Sequence, residues 1–288
     1  MNSHCFDLLV WGSPAEIQVR DCSWLTEEEF TKSFKGCDTK NLTVLQLDQC
    51  GRCLPDYILR ATLAHSPCLL PSLATLSMSG ACRISDVGLT SLVASAPALQ
   101  SINLSLCSLL THASVNTLAE SLGSVLRELY IDDCQSIDAM VMLPALKKLE
   151  HLEVLSVARM ETVCDNFIRE FVTTCGHNMK ELVLTECVKL TDSSMKVMAE
   201  NCSGLRSLNL SKLRKLTDST LGYLANGCCQ IETLNVCQNA FSDEAVAAYL
   251  ETSGELLKEL ILNNVKKHCP LPNDQESCRF WIYLGAGT

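Results

Sequence analysis

One motif recurs along the chain and limits what it can fold into. The pattern L-x-x-L-x-L-x-x-C occupies Leu42, Leu45, Leu47 and Cys50, then Leu99, Ile102, Leu104 and Cys107. It returns at Leu126, Leu129, Ile131 and Cys134, and at Met179, Leu182, Leu184 and Cys187. Weaker copies begin at Leu73, Leu152, Leu205, Ile231 and Leu257, and an earlier one puts Pro14 first, with Ile17, Val19 and Cys22 after it. First positions follow one another at intervals of 26 to 31 residues, the longest running from Leu42 to Leu73 and containing CGRCLPDY. Ten such units mean one small element repeated. A single unit cannot bury its own apolar face, so the core must belong to the stack.

Each unit reads as a strand, a turn and a helix. The x-L-x-L-x segment alternates with period two, as in Leu45-Gln46-Leu47 and Leu208-Asn209-Leu210, so its leucines face inward. Helix starts follow at Ile84-Ser85-Asp86, Leu190-Thr191-Asp192, Leu216-Thr217-Asp218 and Phe241-Ser242-Asp243. There a hydroxyl caps the first amides, and an aspartate lies in the first turn where the helix dipole favours it. Thr26-Glu27-Glu28-Glu29 fits a capping box. The period is that of leucine-rich repeats. The expected fold is α/β: a right-handed leucine-rich repeat horseshoe solenoid with parallel strands on the concave face and helices on the convex face. Residues 1–13 form a lead-in, 14–265 the repeats, and 266–288 an irregular tail outside the pattern.

Composition narrows the function. With 47% apolar and 19% charged residues the chain is globular, and at 5% aromatics its core rests on aliphatic side chains and cysteine. The net charge of −10 offers a phosphate backbone no attraction, so direct nucleic-acid binding is not expected. The opening MNSHCFDLLVWGSPAE has neither a basic start nor a signal-length apolar run, and no stretch is long and apolar enough for a membrane span. A reducing compartment, nucleus or cytoplasm, follows, in which the 18 cysteines stay thiols.

Most cysteines keep the period. Cys22, Cys50, Cys107, Cys134 and Cys187 hold the ninth position, with Cys82 displaced by one residue. Cys37, Cys68, Cys175, Cys202, Cys228 and Cys229 lie shortly before a first position. Met160, Leu213, Asn239 or Val265 replace the ninth-position cysteine elsewhere, an exchange that packing tolerates and a nucleophile does not. Cys50-x-x-Cys53 with His65-x-x-Cys68 has zinc-like spacing, but Cys50 and Cys68 already belong to the repeat. No phosphate loop and no assembled catalytic set is visible. The chain is therefore read as no enzyme, with no catalytic, cofactor-binding or metal-binding residue and no cofactor.

The unit L-x-x-L-x-L-x-x-C-x-x-L-T-D resembles the cysteine-containing leucine-rich repeats of the F-box proteins over about residues 14–265. CSWLTEEEF, LTVLQLDQCGRCLPDYIL, SVLRELYIDDC and CGHNMKELVL resemble plant proteins of the Rad-type nucleotide excision repair family. That resemblance implies a non-catalytic protein-interaction module, a substrate-recognition or scaffold subunit of an SCF/cullin-type ubiquitin ligase or a DNA-repair complex. An inhibitor-like or immune-receptor fragment is the alternative. An F-box needs several dozen residues before the repeats and only 13 precede Pro14, while KKHCPLPNDQESCRFWIYLGAGT abandons the pattern after Val265, so the chain reads as truncated or alternatively spliced.

A protein partner would meet the outward strand positions. The candidates are Gln46, Asp48, Asn103, Glu128, Tyr130, Asp132, Asp133, Glu181, Thr185, Glu186, Asn209 and Asn235. Ser77, Ser105, Val183, Ser211 and Asn263 face the same way. Glu128, Tyr130, Asp132 and Asp133 form the favoured cluster, because aromatics concentrate in interface hot spots.

Overall fold

A computed structural model describes residues 3–35, 37–66, 68–262 and 280–283. Asn263, Val265 and the remainder of the tail lie outside the described residues. The chain divides into two compact units, Met1–Leu152 and Glu153–Thr288.

In the first unit, strands β1 (Glu16–Val19), β2 (Val44–Leu47), β3 (Thr75–Ser77), β4 (Ser101–Asn103) and β5 (Glu128–Tyr130) lie side by side in sequence order, all parallel. Helices α2 (Glu27–Phe34), α3 (Asp56–Ala61), α4 (Asp86–Ser95), α5 (His112–Leu122) and α6 (Ala139–Leu146) follow the strands one by one. The second unit repeats the plan with β6 (Val154–Ser156), β7 (Glu181–Val183), β8 (Ser207–Asn209), β9 (Thr233–Asn235) and β10 (Glu259–Leu262). Its helices are α7 (Asp165–Cys175), α8 (Asp192–Asn201), α9 (Asp218–Gly227) and α10 (Asp243–Ser253). This is the leucine-rich repeat fold, α/β with parallel strands.

Equal repeats put equal residues opposite each other. Ile17, Leu45, Leu76, Ile102 and Leu129 pair in register in the first unit, as do Leu155, Leu182, Leu208, Leu234 and Leu260 in the second. All are buried, so within each unit every strand supplies one rung of an aliphatic stack. A strand slipped by one residue would turn every rung outward. The helices approach closely at their ends: a Cβ on Gly227 would meet the Ala199 carbonyl oxygen at 2.1 Å, which leaves room only for glycine.

Both ends depart from the repeat. Residues Ser3–Trp11 form helix α1, which buries Phe6 and Val10. Phe6 meets Trp24 and Phe34 edge-on at 5.9 and 6.0 Å. Asp7 is buried beside them, bonded by Lys32 Nζ at 2.7 Å and Ser33 Oγ at 2.5 Å. Those bonds hold its carboxyl below the usual aspartate range. At the other end β11 (Phe280–Tyr283) runs antiparallel along β10, within residues that the sequence places outside the pattern.

Candidate interaction surface

The turn after each strand sets the geometry of the outward face. The eighth residue of eight consecutive repeats has positive φ: Gln49, Gly80, Leu106, Asp133, Arg159, Glu186, Lys212 and Gln238. Only one is glycine, although a side chain in this conformation costs about 1–2 kcal/mol. The turn persists because its amide bonds to the next repeat. Gly80 N reaches Ser105 O at 2.8 Å, Leu106 N reaches Asp132 O at 2.8 Å, and Glu186 N reaches Ser211 O at 3.0 Å.

The ninth residue locks the corner. Cys22, Cys50, Cys107, Cys134 and Cys187 are all fully buried. Three donate to the sixth-position carbonyl of the preceding repeat: Cys107 Sγ to Met78 O at 3.5 Å, Cys134 Sγ to Leu104 O at 3.2 Å, and Cys187 Sγ to Val157 O at 3.2 Å. Asn239 serves in the same place, donating to Leu210 O at 2.8 Å and accepting from Leu213 N at 2.7 Å. In the repeat of Leu73 the corner is filled by buried Ala81, and Cys82 is exposed rather than a displaced corner residue. Burial pushes the thiols up, to about 12 for Cys22, Cys53 and Cys107 and about 11 for Cys134. Such thiols are protonated at neutral pH and poor nucleophiles. The zinc-like set does not converge. Cys53 is buried, Cys68 is exposed at φ 56°, and His65 Nδ1 lies 2.7 Å from Thr62 O. Among the described residues no three His, Cys, Asp or Glu side chains are placed to hold a metal.

The aspartates that open the helices do more than face a dipole. The hydroxyl caps are present at Thr26, Ser85, Thr111, Thr191, Thr217 and Ser242, and the Thr26–Glu29 capping box is complete. Five of them, Asp56, Asp86, Asp165, Asp192 and Asp218, also accept from the cap of the following repeat. Asp86 takes Thr111 N at 2.9 Å and Thr111 Oγ1 at 2.7 Å, and Ser114 Oγ as well. Asp56 holds Ser85 in the same way. In the second unit Asp165 holds Thr191, Asp192 holds Thr217 and Thr220, and Asp218 holds Ser242. Burial raises the Asp86 carboxyl, but the bonds from Ser114 and Thr111 outweigh it and leave it below the usual value.

All twelve candidate residues are half-buried, and much of their polarity is already used. In the first unit Gln46 Nε2 donates to Asp48 Oδ2 and Ser77 Oγ to Asp48 Oδ1, both at 2.5 Å. Ser101 Oγ donates to Glu128 Oε2 at 2.7 Å, with Tyr130 OH 3.5 Å from the same oxygen. Asp132 N donates to Ser105 Oγ at 3.2 Å, and Asp133 Oδ1 accepts from Gln135 at 2.6 Å. Thus the structure brings Asp48 together with Gln46 and Glu128 together with Tyr130. In the second unit Thr185 meets Ser211 at 3.0 Å, and Glu186 accepts from Lys212 at 2.6 Å. Glu181 pairs in register with Val154 and Ser207. The three asparagines are turn-formers. Asn103, Asn209 and Asn235 each accept the amide two residues on, from Ser105, Ser211 and Cys237, at 3.0 to 3.1 Å.

No described helix is long and apolar enough to cross a membrane. No family model and no curated protein matches the chain. Solved structures do. A chain in the crystal structure of the Rad7 and Elc1 complex in yeast superposes with a TM-score of 0.56 at 20% identity, over 90% of this chain and 78% of that one. The leucine-rich repeat-containing protein LegL7 from Legionella pneumophila superposes with a TM-score of 0.55 at 14% identity, over 86% and 82%. At these identities the likeness shows the fold.

Proposed function

We propose that this leucine-rich repeat chain is a non-catalytic protein-interaction module. The observation that carries the reading is the contrast between positions within one repeat. Inward residues are nearly the same from unit to unit. The fifth, outward position runs through Gln46, Ser77, Asn103, Tyr130, Val183, Asn209 and Asn235 on one backbone frame, with Ser156 at this place buried. A frame that repeats while its outward chemistry changes offers a distinct surface, and distinct surfaces serve recognition. The buried, protonated cysteines support the same reading against thiol catalysis.

The finer reading is a substrate-recognition or scaffold subunit of an SCF/cullin-type ubiquitin ligase or of a nucleotide excision repair complex, in the nucleus or cytoplasm. It is supported by the resemblance carried in CSWLTEEEF and SVLRELYIDDC, and by the shared fold with a chain of the Rad7 and Elc1 complex. Proximity labelling with the tagged chain in cells tests both levels. Wild type should label a reproducible protein set that includes ligase or repair subunits, and Glu128→Gln with Tyr130→Ala should lose part of it. A reproducible set without such subunits removes the finer reading. The same background for wild type and variant removes the coarser one.

A further inference from the structure

We propose that the edge of residues 1–152 where strands pass into helices docks a basic amphipathic helix. The proposal rests on the reading of the chain as a protein-interaction module and deepens it. Val87, Leu106, Leu109, Met140 and Val141 are exposed there, Val87 at 58%, Leu109 at 51% and Leu106 at 43%. Connectivity puts them on one edge. Leu106 and Leu109 lie in the turn leaving β4, Val87 in the first turn of α4, and Met140 and Val141 in the first turn of α6. Tyr57, in the first turn of α3, continues the row, with its hydroxyl bonded to Glu27.

The second unit is an internal control, with one exposed apolar residue of its own at this edge, Val188 in the turn leaving β7. Residues in the place of Tyr57, Val87 and Met140 are Asn166, Ser193, Ser219 and Glu244. In the place of Leu106 stand Arg159, Glu186, Lys212 and Gln238, with the same positive φ. The turns and caps are built alike in both units, so the fold does not call for apolar side chains at this edge. Leu106 is the sharpest instance. Its neighbour in the preceding repeat is Gly80, which carries no strain, yet Leu106 holds an exposed aliphatic side chain at φ 63°.

Charge names the occupant. Over residues 56–146, which the row crosses, the lysine and arginine side chains are Arg60, Arg83 and Arg127, against Asp56, Asp86, Glu120, Glu128, Asp132, Asp133 and Asp138. An apolar row on repeats of this sign suits aliphatic and basic side chains together. The row crosses α3 to α6, and with roughly 8–10 Å between neighbouring helices it is about 25–30 Å long. A helix of about 18 residues has that length and presents its apolar face as i, i+3, i+4 and i+7 anchors.

Fluorescence anisotropy with the full chain and three labelled 18-residue peptides tests this. The peptides are an amphipathic leucine/lysine helix, its leucine/glutamate counterpart and a scrambled leucine/lysine sequence. The first should bind at least tenfold more tightly than the others and weaken with salt. Leu106→Asp with Met140→Glu, residues found at the same places in other repeats, should weaken it at least tenfold with Tm unchanged. Ser193→Asp with Ser219→Asp should have no effect. Equal affinity for the three peptides, no binding, or indifference to the edge substitutions overturns the proposal. So does a dimer in sedimentation that Leu106→Asp abolishes, because the occupant is then a second copy. Binding lost through Glu128→Gln with Tyr130→Ala but not through the edge pair overturns the docking site and leaves the interaction reading standing.

Discussion

Removing the Asp86 carboxylate should show how much stability passes between repeats through one side chain. It accepts three bonds from the next repeat, two from Thr111 and one from Ser114. Ser114 is buried, so its hydroxyl would lose its acceptor without gaining water, at a cost of about 1–3 kcal/mol. Thr111 is half-exposed and water recovers part of its loss, leaving about 0.5–1 kcal/mol for each bond. Loss of the charge at the α4 N-terminus adds about 0.3–1 kcal/mol. Asp86→Ala should therefore destabilise by about 3 kcal/mol, and Asp86→Asn, which keeps one acceptor, by about half that. Urea unfolding followed by circular dichroism measures both. Ser114→Ala placed in the Asp86→Ala background should then be nearly neutral, because the stranded donor is gone. The pH dependence has a definite sign. The folded pKa lies below the unfolded one, so the charge contributes in full above the unfolded value of about 4 and is lost as pH falls through the folded value. Asp86→Asn should flatten the fall in stability below about pH 4. An Asp86→Ala protein within about 0.5 kcal/mol of wild type would refute the reasoning.

Gly80→Ala should cost about 1–2 kcal/mol, because φ is +77° and the new Cβ would lie 3.3 Å from Gln49 Cα. Leu106→Gly should be neutral or slightly stabilising; thermal melts compare the two. Cys187→Ala should lose about 1–2 kcal/mol in urea unfolding, through a small cavity and the bond to Val157 O, while partner labelling is kept. A fully stable Cys187→Ala that loses its partners would contradict its role as a corner. In Ellman titration of the native protein at pH 8, exposed Cys68, Cys82 and Cys229 should react, whereas buried Cys50, Cys107 and Cys134 should wait for denaturant. A single fast thiol among the buried ones would restore the catalytic alternative.

Strand positions, helix starts and corner cysteines were legible in the sequence because each depends on a residue type at a fixed interval. Leu45, Leu76 and Ile102 announce their register by alternation alone, and Ser85 or Thr191 announces a cap by its hydroxyl. The eighth-position turn was not legible. It is held by backbone bonds to the next repeat, so Leu106, Glu186 and Lys212 share a conformation that no side chain signals. The aspartates were half legible. Their place in the first turn follows from the dipole, but their bonds cross to a residue 24 to 29 positions away, which no local pattern connects. At Asn103, Asn209 and Asn235 the outward position was legible but the turn was not: their amide oxygens accept the backbone amide two residues on. Cys82 shows how a near-match misleads, since Ala81 fills the corner one residue earlier.

The carboxylate and thiol bonds between neighbours have a consequence for how such a chain can lengthen or shorten. Every donor looks one repeat back or forward for its acceptor: Cys187 to Val157, Asn239 to Leu210, Thr217 to Asp192. A segment cut from one first position to the next keeps strand, corner and helix start in register with their neighbours. Where a cysteine or asparagine holds the corner and an aspartate opens the helix, duplication or loss of such a segment lets each donor meet an acceptor of the same kind. A cut at mid-repeat would leave an aspartate facing a strand and a thiol facing a helix. Whole repeats are therefore the natural unit of insertion and deletion in this molecule, and its reach can change by steps without a new core being designed.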